Sequence, residues 1–389
     1  MNFESIVFQL SVIVVGAAAL GTIFLYLRQP IMVAYIAVGI LFGPHGFQVV
    51  QSTDIVEEVA HIGVMLLLFL VGLNLNPQNL LHLFRKTVFM TLATCLSFAA
   101  ISAGFALAIG FGLMPSLLFG AAMMFSSTVV GLKLVPTTAL HHRRTGEVMT
   151  GVLLLQDLLA ILVILFLAGP SGGGDMAVSF LMVIVKLAGI CIASFVGVKY
   201  HVVPLLRKFD VVQEYTFVAV LGWCLLWAEV AHIIGMSYET GAFIAGLSIA
   251  SCKAANVIAE HLKPLREFFL ILFFFAVGAK LNFMLNPTLV VMAVIFGVAL
   301  VFIKSRVFEV ALRRSGETPE LARELGVRLG QSSEFSLLVV MAATASGVLT
   351  DTQAMVIQVT TISTFVVSTY WTVAKYPTPI SMKAGMRKD

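Results

Sequence analysis

Apolar residues run along this chain in blocks of about 20, the length a helix needs to cross a hydrocarbon core. Dividing the chain at polar and Pro/Gly-rich breaks gives about thirteen blocks: 6–27, 30–48, 57–75, 87–111, 114–138, 147–168, 177–200, 214–234, 238–251, 267–283, 287–311, 321–348 and 353–374. The pattern predicts an all-α polytopic membrane protein. Composition agrees: 59% of residues are hydrophobic, 11% are charged and the mean hydropathy is +1.01. A soluble chain of this length would need far more charge to cover its surface. The first block follows the acidic Glu4 and lacks the basic and short apolar regions of a secretory signal. Cys95, Cys191, Cys224 and Cys252 lie in or beside apolar blocks without metal or redox spacing, and read as small buried residues.

The loops supply an orientation. Lys and Arg gather at Arg28, at Arg85 and Lys86, at Arg143 and Arg144, and at Lys199, Arg207 and Lys208. They recur at Lys253, Lys263 and Arg266, at Arg313, Arg314 and Arg323, and from Lys375 to Lys388. If the blocks alternate across the membrane, every group falls on one side, while loops 49–56, 169–176 and 349–352 carry no Lys or Arg. The positive-inside rule then places the N-terminus outside and the C-terminus in the cytoplasm.

An internal repeat emerges at an offset of 206 residues. MLLLFLVGLNLNP (65–77) matches ILFFFAVGAKLNF (271–283), and Ser126–Ser127 falls on Ser332–Ser333. The paired segments cross in opposite senses, the signature of an inverted-topology repeat with halves at about 6–168 and 214–374. Such repeats place their substrate site near the membrane midplane, at a pair of discontinuous helices. FSSTVVG (125–131) and GQSSEF (330–335) are the expected breaks, since their hydroxyls can satisfy freed backbone groups. The alternative is intact helices whose hydroxyls bond back to their own turns.

Few charges lie deep. Asp157 sits about ten residues into its block, roughly 15 Å from the cytoplasmic end. Lys304 lies at a depth from which its side chain can reach the Gln156–Asp157 neighbourhood, and Glu334 occupies the second expected break. Arg306 and Glu309, three residues apart, read as a helix-face pair. Lys280 and Glu229 lie near helix ends and can snorkel. Lys186 reads as an interfacial contact, Lys133 remains ambiguous, and His61 and His232 read as packing residues. A deep carboxylate can be neutralised by a proton or by a metal ion, and mutual exclusion of the two makes an exchanger. Asp157, the Gln156 carbonyl, the hydroxyls of Ser126, Ser127 and Thr128, and freed carbonyls offer the oxygen ligands that K⁺ or Na⁺ requires. A structural salt bridge between Asp157 and Lys304 is the competing reading, and the two roles are compatible.

At these residues the chain resembles the monovalent cation:proton antiporters, in particular the Kef-type potassium/proton branch related to the NapA and NhaA sodium/proton antiporters. The resemblance spans RQPIMVAYIAVGILFGP (28–44), GVMLLLFLVGLNL (63–75), FSSTVV (125–130), LLLQDLLAI (153–161), FFFAVGAKL (273–281), Lys304 and LGQSSEFSLLV (329–339). It implies an NhaA/NapA-like fold with two crossed discontinuous helices, and Asp157 as the ion- and proton-binding aspartate. Gln156, where electrogenic relatives carry a second Asp, favours K⁺ and an electroneutral cycle. Lys304 and Glu334 become the charge partners. A core formed by blocks 4–6 and 11–13 would move against a dimerising scaffold of blocks 1–3 and 8–10, with blocks 3 and 10 assignable to either. The implied protein is a homodimer of the bacterial inner membrane without a cofactor beyond its transported ions, without enzymatic activity and without a nucleic-acid partner. Many Kef-type proteins carry a cytoplasmic nucleotide-binding domain; no G-x-G-x-x-G after a predicted strand is found here, which fits a truncated membrane domain, a naturally short relative or a chain regulated by a separate subunit. A Na⁺/H⁺ antiporter, a ligand-gated cation channel or leak on the same fold, and a non-transporting sensor are the alternatives.

Overall fold

In the computed structural model the described residues are 6–50, 54–74, 77–135, 144–167, 176–209, 213–250, 252, 255–283 and 286–378. Among them the secondary-structure elements are helices: α1 (Ile6–Tyr26), α2 (Ile31–Phe42), α3 (Asp54–Asn74), α4 (Pro77–Ala108), α5 (Leu113–Met123), α6 (Thr128–Lys133), α7 (Arg144–Leu167) and α8 (Met176–Gly197). A π-helical turn (Val198–Val202) leads into α9 (Val203–Lys208), then α10 (Gln213–Ile233), α11 (Tyr238–Ile249), α12 (Ala255–Lys280), α13 (Pro287–Arg314), α14 (Pro319–Arg328), α15 (Glu334–Ala345) and α16 (Asp351–Lys375). Among the described residues, seven stretches are long and apolar enough to cross a membrane, and four shorter apolar helices accompany them. The chain is a multi-pass membrane protein.

Local chemistry sets the starts of the later helices. Asn286, Thr318, Ser333 and Thr350 are N-caps whose side chains accept backbone N–H bonds, and Pro follows at the first turn of α13 and α14. The chain also differs from the block limits read from hydropathy. The block at 114–138 divides into α5 and α6, and that at 321–348 into α14 and α15, as expected of discontinuous helices. The block at 267–283 belongs to a helix that begins at Ala255, so Lys263 and Arg266 are helical rather than in a loop. Hydropathy reports the apolar part of a helix, and α12 extends past it through a charged turn containing Pro264. The tail beyond 378 and the side chains of Lys133, Arg85 and Lys86 lie outside the described residues.

Packing divides the chain into two units. One comprises 1–51, 82–164 and 277–389; the other comprises 52–81 and 165–276. The first gathers blocks 4–6 and 11–13 and adds residues 1–51, which the family resemblance would group with blocks 8–10. Within this unit α2 meets residues 277–280 closely, since a Cβ on Gly278 would lie 2.1 Å from the Ile36 carbonyl oxygen. Its interior includes Phe98 and Phe308, edge to face at 5.1 Å, with Met149, Leu153, Leu325 and Leu329 around them. In the second unit α3 and α11 touch backbone to backbone. A Cβ on Gly72 would sit 2.3 Å from the Phe243 oxygen, and one on Gly246 would sit 2.0 Å from that of Phe69. Small residues that let helices meet this closely are a membrane packing device.

Candidate functional site

The site is built where the breaks at 124–127 and 329–333 meet inside the first unit. The contacts between them are direct. Ser126 Oγ donates to the Leu329 carbonyl at 2.8 Å, Gln331 Nε2 donates to the Ser127 carbonyl at 3.3 Å, and Ser336 Oγ donates to the Ala122 carbonyl. The serines also cap the resumed helices, since Ser127 Oγ accepts from Val130 N at 3.0 Å and Ser333 Oγ from Phe335 N at 3.2 Å. The backbone groups freed by each break are thus met by side chains, as interrupted helices in a membrane require.

Gln156 and Asp157 approach the crossing from α7. Both are buried, at 0% and 3% exposure. Gln156 Oε1 accepts from Ser126 N at 3.0 Å, and its Nε2 faces Cys95 Sγ at 3.5 Å. Its amide oxygen therefore serves the first break and keeps only its second lone pair for any other partner. Among the described residues Asp157 accepts from a single hydroxyl: Thr128 Oγ1 lies 3.2 Å from Oδ1 and 3.0 Å from Oδ2. Glu334 is 3% exposed at the start of α15, and Ser333 Oγ lies 3.5 Å from its Oε2.

Lys304 reaches the neighbourhood of Gln156, at the carbonyl of Phe125 beside Ser126, but without pairing to Asp157. It is fully buried, and its Nζ donates to the carbonyls of Met123 (3.2 Å), Phe125 (2.6 Å) and Gln331 (3.0 Å). Those three acceptors use its three protons. The Phe98 ring lies 5.1 Å from the ammonium and completes the enclosure. Among the described residues no ion pair joins Lys304 to Asp157. The lysine fastens the C-terminal end of α5 to the linker after α14, where unsatisfied carbonyls carry the negative end of each helix dipole.

Of the residues singled out from sequence, Asp157 is brought together with Thr128, Gln156 with Ser126, and Lys304 with both breaks. Ser127 caps rather than joining the carboxylate. Arg306 and Glu309 form the expected pair at 3.0 Å, and His232 stacks on Tyr238 at 4.2 Å. His61 lies 3.7 Å from Glu239, a pairing that packing alone would not suggest. The sequence reading missed several supports. Gln331 spans the crossing and its Oε1 accepts from Ser368 Oγ at 2.9 Å, while Thr364 Oγ1 accepts from Ser332 N at 2.9 Å. The buried Arg328 donates to the carbonyls of Leu134 and Pro377 and pairs with Glu324 at 2.9 Å. Its signal was present as a Glu four residues before an Arg, ELGVR at 324–328. On α16 the buried Thr360, Thr361, Thr364 and Ser368 give no hydropathy signal of their burial.

Two interrupted helices meet beside a buried carboxylate, and the class is that of a multi-pass membrane protein with an NhaA/NapA-like fold. The chain belongs to the sodium/hydrogen exchanger family, whose sequence model, described as "Sodium/hydrogen exchanger, transmembrane", matches residues 11–375. It is 31% identical over 349 residues to the glutathione-regulated potassium-efflux system protein KefC of Klebsiella pneumoniae (strain 342), covering 87% of this chain and 55% of KefC. It is 29% identical to K(+) efflux antiporter 5 of Arabidopsis thaliana, covering 86% of this chain and 60% of that one, and 24% identical to the iron transporter MagA of Paramagnetospirillum magneticum, covering 93% and 83%. The chain therefore spans little more than half the length of these potassium-efflux relatives. The sodium proton antiporter MjNhaP1 of Methanocaldococcus jannaschii, solved at pH 8, has the same fold, with a TM-score of 0.72 at 16% identity and coverage of 94% and 95% of the two chains.

Proposed function

We propose that this protein exchanges a monovalent cation, K⁺ in the first instance, for H⁺ by alternating access, with Asp157 binding proton and cation in turn. One observation carries the reading. Asp157 is buried and accepts from one hydroxyl among the described residues, and Lys304, the cation in reach by depth, spends its protons on backbone carbonyls. A carboxylate withdrawn from water with so little compensation takes up a proton or a cation. The remaining lone pairs of Thr128, Ser126 and Gln156, with freed carbonyls, supply the other oxygens, and Glu334 adds negative potential. Gln156 contributes no charge, so one carboxylate exchanging one H⁺ for one monovalent ion gives an electroneutral cycle. K⁺ is favoured by the names of the potassium-efflux relatives and by Gln156.

Na⁺/H⁺ exchange is the second reading, favoured by the likeness to MjNhaP1. With either ion, we propose a homodimer in the bacterial inner membrane, its N-terminus outside by the distribution of Lys and Arg among the loops and its C-terminus cytoplasmic. The repeat at an offset of 206 residues supports halves at about 6–168 and 214–374 of inverted sense. The test is proton flux in proteoliposomes loaded with a pH dye, driven in turn by K⁺, Na⁺, Li⁺ and Rb⁺. Luminal alkalinisation on external cation addition supports exchange and ranks the ions. Cation flux without proton movement identifies a channel or leak instead.

A further inference from the structure

Away from the crossing, the last turns of α13, the body of α14 and the end of α16 enclose a cavity of about 200 Å³. Arg306, Arg323, Lys375, Glu309 and Trp371 line it. Glu309 is almost fully buried, and three guanidinium groups converge on it: Arg306 at 3.0 Å, Arg323 at 3.5 Å and Arg313. Lys375 stands 5.9 Å from the Trp371 ring. Three guanidinium groups thus share one carboxylate, Lys375 adds a further cation to the cavity wall, and the group carries an excess of positive charge. Like charges held this close repel one another, and a second anion relieves the repulsion.

Size and placement narrow the anion. The cavity holds the volume of about six or seven waters and falls below the ~300–1,000 Å³ of sites for drug-sized molecules. It has room for a phosphate group. Phe302 and Val310, each one turn from Arg306 on α13, are 47% and 49% exposed, while Arg306 is 76% exposed. Arg306 therefore lies within an apolar stripe that faces outward, where lipid is the neighbour, and Trp371 with Lys375 is the pairing found at membrane interfaces. Arginine forks match phosphate oxygens in two-point geometry.

We propose that this pocket binds a phosphate-bearing anion, presented to it chiefly as the headgroup of an anionic phospholipid. Glu309 is a positioning residue that keeps Arg306 and Arg323 spread around the cavity. The site is separate from Asp157 and does not depend on the transport reading.

The test uses the full chain in detergent, with native mass spectrometry and thermal-shift titration against phosphatidylglycerol, phosphatidylcholine and, at matched ionic strength, inorganic phosphate. Phosphatidylglycerol is expected to bind at least tenfold more tightly than phosphatidylcholine. Arg306→Gln with Arg323→Gln should cut that preference about tenfold, and Arg306→Gln alone, an exposed change that leaves folding intact, should cut it severalfold. Lys208→Gln, an exposed cation elsewhere, should leave it unchanged. Protection by inorganic phosphate but not by lipid would keep the anion site and overturn its lipid source. Binding of neither, or lipid preference that survives both arginine changes, overturns the proposal.

Discussion

Replacing Lys304 by Met separates two roles that sequence alone leaves joined. The methionine keeps most of the side-chain volume but abandons the carbonyls of Met123, Phe125 and Gln331. Leaving three buried acceptors unmet costs about 1–3 kcal/mol each, and relief of burying the ammonium returns part of that. A net loss of about 3–5 kcal/mol follows, in line with other broken buried charge networks. With ~2 cal/mol/K of unfolding entropy per residue over 389 residues, the melting temperature should fall by roughly 4–6 °C. Asp157→Asn removes a carboxylate held by one hydroxyl, so it should leave the melting temperature unchanged or raise it. Thermal-shift measurements on both single variants and the double variant form a cycle. Because no ion pair links the two side chains, the coupling energy should stay below about 1 kcal/mol. A coupling of about 3 kcal/mol or more, or a drop in Asp157→Asn matching that in Lys304→Met, would refute this placement of Lys304.

Further outcomes follow from the same geometry. Asp157→Asn should abolish cation-dependent proton flux in proteoliposomes while the purified protein stays folded. Gln156→Asp adds an acid beside Asp157 and should make the flux respond to a clamped membrane potential; identical flux with and without the clamp counts against it. Proton and cation compete for one site, so a saturating cation favours the deprotonated form, and protons must be more concentrated to displace it. Each tenfold rise in cation should therefore lower the apparent pH midpoint of transport by up to about one unit. Gly246→Ala would drive a Cβ to 2.0 Å from the Phe69 oxygen and should cost about 1–3 kcal/mol of stability, read as a lower melting temperature.

Much of this architecture was legible because the membrane leaves few ways to satisfy a backbone. The paired Ser126–Ser127 and Ser332–Ser333 marked the breaks, since hydroxyls at equivalent positions of two repeats can satisfy the backbone groups an interruption frees. Asp157 stood out by cost: a charge at that depth needs compensation. Lys304 shows where such reading stops. Depth along a helix does not fix azimuth, so a lysine level with an aspartate still points to whichever acceptors its helix face meets. The carbonyl ends of α5 and of the linker after α14 are invisible in a string of side chains. Gln331, Thr364, Ser368 and Arg328 escaped for a related reason. Their value lies in bonds to groups far away in sequence, such as the carbonyls of Ser127 and Pro377, and no local spacing records such partners. The helical start of α12 was hidden because a charged turn reads as a loop on hydropathy.

The most direct test of the exchange site is proton release on cation binding. Purified protein in weakly buffered detergent solution, held near the pH midpoint of transport, is titrated with K⁺ while pH is followed. Half of the carboxylates are protonated at the midpoint, so competition at one carboxylate predicts release approaching about half a proton per chain at saturation, with none from Asp157→Asn. Saturable K⁺ binding without proton release, or release that persists in Asp157→Asn, would contradict the claim that proton and cation exclude each other at Asp157.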